Sequence, residues 1–168
     1  KSNTFSPFDL SIFFKSLSYR VQNINIEGAA LVGEKIFILN RGVQATPSQM
    51  ITVNSKTLSI ISIASIDFGL LKGLPLHGSE ICFYDNDLYA LAVAEDADNS
   101  YDDGEIIGST LVQISVDDFH IKKQWMFENT IKAEGLCRYT IDNNERWLIT
   151  TDPDGVGHSD FFTLEIKS

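Results

Sequence analysis

One apolar segment with a turn in its middle occurs three times in the chain, and this repetition limits what the sequence can fold into. The copies cover residues 26–40, 79–91 and 134–150. Aligning them by their apolar positions makes three residues near the start of each copy equivalent, namely Glu27, Ser79 and Glu134. Each copy holds two runs rich in β-branched and aromatic residues around a polar turn, a pattern that predicts a β-hairpin.

The segments after the hairpins continue this pattern. A third apolar run follows each hairpin, and a fourth follows the first two copies, at 59–66 and 120–127. Four antiparallel strands in a period of about 40–50 residues are typical of a propeller blade. We therefore predict an all-β partial β-propeller of about three four-stranded antiparallel blades, with repeats at about 20–66, 76–127 and 131–168. A β-sandwich is the alternative, although it does not require the repetition.

The N-terminal part of the sequence follows a different period. Apolar residues over about 8–17 recur at helical spacing, which predicts a short helix. Partial alternation over 18–25 favours a strand. The third copy has only three strands, so we expect something else to complete it. The candidates are the strand at 18–25, a missing N-terminal half of a larger propeller, and a homodimer partner. In each case the single domain 1–168 is a fragment of a larger propeller or half of a pair.

The charge of the chain limits its partners. The sequence has 23 acidic and 13 basic residues, a formal net charge of -10. Nucleic acids and anionic membranes repel such a surface, so we expect neither as a partner. The sequence has no run of about 18 apolar residues, so it predicts no membrane span. The sequence begins at Lys1 rather than Met, and the localisation therefore stays open between cytoplasm and periplasm.

A Glu-Gly pair opens two of the repeated segments, at Glu27 and at Glu134. The first strand of a blade lines the central channel of a propeller, so carboxylates at equivalent positions converge there. Converging carboxylates repel one another unless a cation or a proton lies between them. Calcium prefers such oxygen ligands, and we therefore expect Glu27 and Glu134 to hold calcium or another cation.

Neighbouring polar residues extend this predicted site. Asn40, Arg41 and His77 fall near the same end of the strands, and we assign them to a binding face. The alternative is that each Glu caps backbone amides, or pairs with Arg41 or Arg138.

A long acidic segment, 94–105, joins the second and third strands of the middle copy. Connections of this length are commonly functional or disordered. Its carboxylates recur as in calcium-binding loops, but the EF-hand glycine and flanking helices are missing. The candidate metal ligands in this segment are Asp96, Asp98, Asp102 and Asp103. Glu95 and Tyr101 are assigned to the binding face, and a plain polar surface loop is the alternative.

The matching loop of the third copy, 151–160, contains Asp152 and His158. These two residues can act as acid and base, or can be solvated turn residues. Because such loops share one face of the sheets, we assign both residues to the binding face. No strand–turn–helix nucleophile elbow is visible, and no catalytic residue is assigned.

Several motifs carry a resemblance to a known family: NIEGAA at 25–30, NRG at 40–42, YDDG at 101–104 and AEGL at 133–136. Together they resemble an uncharacterised bacterial family of propeller-like proteins, a domain of unknown function. The resemblance implies the C-terminal half of a six-bladed propeller. The Glu-Gly strands are also distantly similar to those of gluconolactonase-like and phytase-esterase-like propellers, in which a central Glu binds calcium. The further Asn and Asp ligands of those enzymes have no counterpart that the sequence places.

These patterns favour a binding module that takes a small-molecule ligand and holds calcium or another cation. One alternative is a metal-dependent hydrolase of lactones or esters, with Glu27, Glu134 and a bound water at its centre. The other is a protein–protein assembly module that pairs through an exposed blade edge. The sequence does not decide whether the protein is an enzyme.

Overall fold

The computed structural model describes residues 9–96, 104–128, 130–142, 144–152 and 158–165. They form an all-β fold with one short helix, α1, at Ser11–Ser18. The strands are β1 (Ile26–Val32), β2 (Lys35–Asn40), β3 (Ser48–Asn54), β4 (Ile60–Ile66), β5 (Leu70–Leu71), β6 (Leu74–Pro75), β7 (His77–Tyr84), β8 (Asp87–Asp96), β9 (Glu105–Ser115), β10 (Ile121–Met126), β11 (Ala133–Ile141), β12 (Asn144–Thr151) and β13 (Phe161–Leu164). Among the described helices, none has the length and apolarity of a membrane span.

Three antiparallel sheets follow one another along the chain. The first has the order β1-β2-β3-β4, the second β7-β8-β9-β10, and the third β11-β12-β13. Each is a meander in which neighbours in sequence are neighbours in space, as in propeller blades. A two-stranded hairpin, β5-β6, connects the first sheet to the second. The predicted all-β partial propeller with an N-terminal helix is therefore confirmed.

The second strand of the middle sheet, β8, is buried on both faces, which explains why it reads as a nearly continuous apolar run. The first eight residues of β8 are all buried. Leu88 and Ala90 pack in the cluster shared with the first sheet. Tyr89 and Leu91 point the other way and pack in the cluster shared with the third sheet. The period of two along β8 thus divides its side chains between two cores.

Helix α1 covers the remaining face of the first sheet. Phe13 and Leu17 of the helix pack against Ile51 and Val53 of β3, and Val21 completes this cluster. Leu17 is fully buried, and its burial contributes roughly 1.5–3 kcal/mol. The amphipathic pattern at the N-terminus therefore serves to cover a sheet face.

The first strand of every sheet has a β-bulge, and the three bulges fall at the residues that the sequence alignment makes equivalent, Glu27, Ser79 and Glu134. A bulge turns the side chain of the extra residue away from the regular alternation. The three strands also lie close together. The Ser79 hydroxyl donates a hydrogen bond to the carbonyl of Ala133 at 2.7 Å. A Cβ atom at Gly28 would lie 2.8 Å from the backbone nitrogen of Ile81, so the close approach of β1 to β7 requires glycine there.

Local boundaries differ from the sequence prediction in three places. Helix α1 covers Ser11–Ser18 rather than 8–17. Residues 19–25 contain no strand, because Val21 turns inward to join the helix cluster instead of pairing. The acidic segment 94–105 was predicted to be a loop throughout, but both of its ends are strand. Its ends belong to β8 and β9, where Asp96 pairs with Glu105 across the ladder.

Two buried serine hydroxyls tie each sheet to the next. Ser48, at the start of β3, accepts a hydrogen bond from the backbone N–H of Gly78 in the second sheet, at 3.0 Å. Ser109 of β9 accepts one from the backbone N–H of Ala133 in the third sheet, at 3.1 Å. In both cases a hydroxyl on a third strand satisfies a donor on the first strand of the following sheet. The hydrogen bonds thereby set the position of one sheet relative to the next.

Substituting either serine tests this arrangement. Ser48→Ala and Ser109→Ala each leave a buried backbone donor without its acceptor, so each should lower the free energy of unfolding by about 1–3 kcal/mol. Ser62→Ala, at an exposed position of β4, should change it by less than about 0.5 kcal/mol. Urea denaturation of the three variants measures the difference. Equal stabilities for all three would show that the hydroxyls do not hold the sheets together.

Candidate functional site

Charged side chains from all three sheets meet at one end of the strands. Glu27 and Glu134 lie on the bulges of β1 and β11. Arg41 directly follows β2, and Lys132 directly precedes β11. Glu95 lies on β8, beyond the part of the strand that the neighbouring sheets bury. The two bulges, the end of β8 and the residues next to β2 and β11 therefore bring these five side chains together.

Ion pairs connect these residues into a network. Arg41 Nη2 lies 2.8 Å from Glu95 Oε2, and Lys132 Nζ lies 3.6 Å from Glu95 Oε1. Lys132 Nζ is also 3.3 Å from Glu134 Oε1, and Arg41 Nη1 is 3.9 Å from Glu27 Oε1. The side chains of Glu95 and Lys132 are only 10% and 8% exposed. Glu95 thus bridges two cations in a largely desolvated position, where each charge needs a partner.

The two glutamates at the bulges are held in a less favourable environment for charge. Burial raises the pKa of Glu27, Arg41 opposes that shift, and the Glu134 carboxylate raises the pKa further. Burial likewise raises the pKa of Glu134, while Lys132 opposes the shift and Asp152 adds to it. The Glu134 carboxylate thus adds to the cost of ionising Glu27, and the nearby cations do not fully offset the burial of either carboxylate.

His77 lies beside this network at the start of β7 and is 7% exposed. One ring nitrogen interacts with the backbone of Gln44, although neither makes a hydrogen bond of regular geometry among the described residues. Burial and the nearby Arg41 lower the pKa of His77, and the backbone of Gln44 and the Glu95 carboxylate oppose this shift. The imidazole is therefore neutral at physiological pH, with one nitrogen able to donate and the other able to accept a hydrogen bond.

These residues line an open cavity of about 960 Å³, a volume in the range of small-molecule sites. We call it the charged pocket, defined by Glu27, Arg41, His77, Glu95, Lys132 and Glu134. Asp67 and Asp96 also line it. Its described lining thus holds five carboxylates and two cations, a formal excess of three negative charges. Leu70, Leu74 and Pro75 of the β5-β6 hairpin add an apolar wall to the same lining.

Some residues assigned to the binding face lie elsewhere or have a different environment. The Asn40 carboxamide accepts a hydrogen bond from the Asn25 N–H at 2.7 Å and donates to the Asn23 carbonyl at 3.0 Å, which fixes the segment before β1. His158 is exposed and outside the pocket lining. Asp152 lies close enough to raise the pKa of Glu134, and its backbone N–H donates to the Lys132 carbonyl at 3.1 Å.

Four predicted site residues lie outside the described residues: Asp98, Tyr101, Asp102 and Asp103. Within the described part of the acidic segment, Asp96 is exposed and Glu95 is enclosed in the ion-pair network. Glu95 is therefore the residue of this segment that the structure places at the centre of the pocket.

The calcium or other cation that the sequence predicts stays a prediction. No group of three or more His, Cys, Asp or Glu side chains in the described ranges is arranged to hold a metal. Arg41 and Lys132 already lie beside the carboxylates that would bind it. Calcium needs six to eight oxygen ligands, and two positive side chains among them oppose a divalent ion.

Sequence reasoning missed two parts of the site. Lys132 is the cation that pairs with Glu134, whereas Arg138 pairs with Glu145 and stacks on Tyr84. The β5-β6 hairpin was also missed, although Gly69 and Gly73, both at positive φ, bracket its first two leucines. That glycine spacing is the signal that could have revealed it.

Comparison with known proteins gives a family but no activity. The model described as "Family of unknown function (DUF6929)" matches residues 1–166. No curated protein matches the chain significantly. The expectation of a domain of unknown function is thereby confirmed. The bacterial origin and the similarity to gluconolactonase-like and phytase-esterase-like propellers stay predictions.

Two glutamate substitutions should distinguish the role of Glu95, which holds two cations, from that of Glu27, whose charge is only partly neutralised by its neighbours. Glu95→Gln leaves two buried cations without a full partner and should lower the free energy of unfolding by about 2–4 kcal/mol. Glu27→Gln removes a charge that folding disfavours, so it should raise that free energy by up to about 1 kcal/mol at pH 7. The gain should vanish as the pH falls through the raised pKa of Glu27, because the wild-type carboxyl is then neutral as well.

Chemical denaturation of both variants at pH 7 and at pH 4 provides the measurement. A loss of stability in Glu27→Gln as large as in Glu95→Gln would contradict the different roles assigned to the two carboxylates.

Proposed function

Because this chain belongs to the family of unknown function DUF6929, whose description gives no activity, we propose its function from the geometry of the charged pocket. The protein is a binding module for a small, positively charged ligand. The observation that carries this proposal is the excess of carboxylates over cations in one half-enclosed cavity. A ligand cation placed there would be attracted to carboxylates that the cations of the protein do not fully neutralise.

The position of Glu27 and Glu134 supports this assignment. Both carboxylates lie on bulges at the first strands of different sheets, so they reach the cavity from two sides. Both have raised pKa values because of burial, and Glu27 also because of Glu134. A bound cation would favour their ionised forms. Its electrostatic attraction to these partly buried carboxylates would be stronger than to solvated surface carboxylates.

The sign of the pH dependence follows from these shifts. The ligand binds the ionised carboxylates, whose pKa values lie above the usual 4.5. Affinity should therefore be full near neutral pH and should fall as acid protonates Glu27 and Glu134, starting at a higher pH than for ordinary surface carboxylates.

A titration followed by nuclear magnetic resonance tests the proposal. We expect ethylammonium chloride to shift backbone signals around Glu27, Glu95 and Glu134 in a saturable way at low ionic strength. The double variant Glu27→Gln/Glu134→Gln should lose about tenfold or more in affinity. Calcium chloride titrated in parallel tests the cation that the sequence predicts.

The matched control has the same change in net charge at exposed positions away from the pocket. Glu34→Gln/Glu165→Gln removes two carboxylates whose side chains are 69% and 53% exposed. It should leave the affinity nearly unchanged. An equal loss in both double variants would mean that the ligand senses only the overall charge of the protein. No saturable shift with either cation would end the proposal.

A further inference from the structure

The charged pocket has an apolar wall whose shape is fixed by the fold. The β5-β6 hairpin is closed by the Leu76 N–H, which donates to the Gly69 carbonyl at 3.0 Å. Leu71 points inward and is buried in the cluster between the first and second sheets. Leu70 points the opposite way and is 68% exposed. The buried leucine thus anchors a hairpin that presents its neighbour to the cavity.

Leu70 does not stand alone on that wall. Leu74 and Pro75, on the second strand of the hairpin, line the same cavity. The same cavity is therefore lined by apolar surface from the hairpin and by the carboxylates. An isolated exposed leucine needs no explanation, but a group of apolar residues inside a concave polar site is typical of ligand pockets.

His77 gives a second, independent indication of a ligand. It begins β7, two residues after the hairpin ends, lines the cavity and is more than nine-tenths buried. One ring nitrogen interacts with the backbone of Gln44, and neither makes a hydrogen bond of regular geometry among the described residues. Buried polar groups are normally satisfied, so a polar group of a ligand is a suitable partner for this imidazole.

We propose that the ligand of the charged pocket is a small organic ammonium compound with an apolar body. The ammonium group lies between Glu27 and Glu134, and the body packs on Leu70, Leu74 and Pro75. A hydroxyl or amine on the body hydrogen-bonds to His77. This inference rests on the proposed function and narrows it, since a metal ion or a simple ammonium ion gains nothing from the hairpin.

Three probes separate the contributions of charge and apolar body. Phenethylammonium adds a phenyl ring to ethylammonium, and 2-phenylethanol keeps the ring without the charge. Titrations of the whole chain at pH 7, followed by backbone amide signals, give the three affinities. We expect phenethylammonium to bind about tenfold more tightly than ethylammonium, because the ring removes apolar area on the hairpin from water. The alcohol should bind more weakly than phenethylammonium by a similar factor.

Leu70→Ser tests the hairpin directly. It should reduce the advantage of phenethylammonium over ethylammonium by about threefold or more and leave the affinity for ethylammonium unchanged. Leu31→Ser is the matched control, because Leu31 is 65% exposed on β1 and is absent from the pocket lining. Both substitutions replace exposed leucines, so both variants should fold.

The outcomes distinguish this inference from the proposed function. If ethylammonium and phenethylammonium bind equally, or if Leu70→Ser behaves like Leu31→Ser, the apolar body is refuted and the cation site stands. If the alcohol binds as tightly as phenethylammonium, or if neither ammonium compound binds, the cation site itself is refuted.

Discussion

The three sheets of this protein meet in one ion-pair network, which links Glu27, Arg41, Glu95, Lys132 and Glu134. Arg41 comes from the first sheet, Glu95 from the second, and Lys132 from the start of the third. Glu95 contacts both cations and is almost fully enclosed. Buried charges are costly when unpaired, so sheet positions that separate these residues are disfavoured. The network therefore sets the relative placement of the sheets at the end where the pocket opens.

Apolar packing and the serine hydrogen bonds also fix the positions of the sheets relative to one another. Period-two alternation sends the side chains of the middle sheet into two cores, and Ser48 and Ser109 tie each third strand to the next sheet. Apolar burial is the dominant favourable contribution to folding, and the serine hydrogen bonds satisfy backbone donors that would otherwise be buried without a partner. The bulges at Glu27 and Glu134 then place two further carboxylates in the cavity, and burial raises the pKa of both.

Much of the fold could be predicted from local patterns, because alternation and turn residues act within a few positions. The alignment of Glu27 with Glu134 also indicated correctly that both lie on first strands of sheets. Strand ends were harder to predict. Glu95 was expected in a loop, but β8 continues through it because Glu95 and Asp96 pair with Ile106 and Glu105 of β9. Lys132 was missed because its partners, Glu95 and Glu134, are brought together by tertiary structure, and nothing in the local sequence marks it as buried.

A double-mutant cycle between Arg41 and Glu95 tests the joining of the sheets most directly. The free energies of unfolding of Arg41→Met, Glu95→Gln and the double variant, measured by urea denaturation, give the coupling between two residues from different sheets. A close, enclosed ion pair predicts a coupling of about 1–3 kcal/mol. Additive effects, within about 0.3 kcal/mol, would contradict the network and with it the convergence of the three sheets on one pocket.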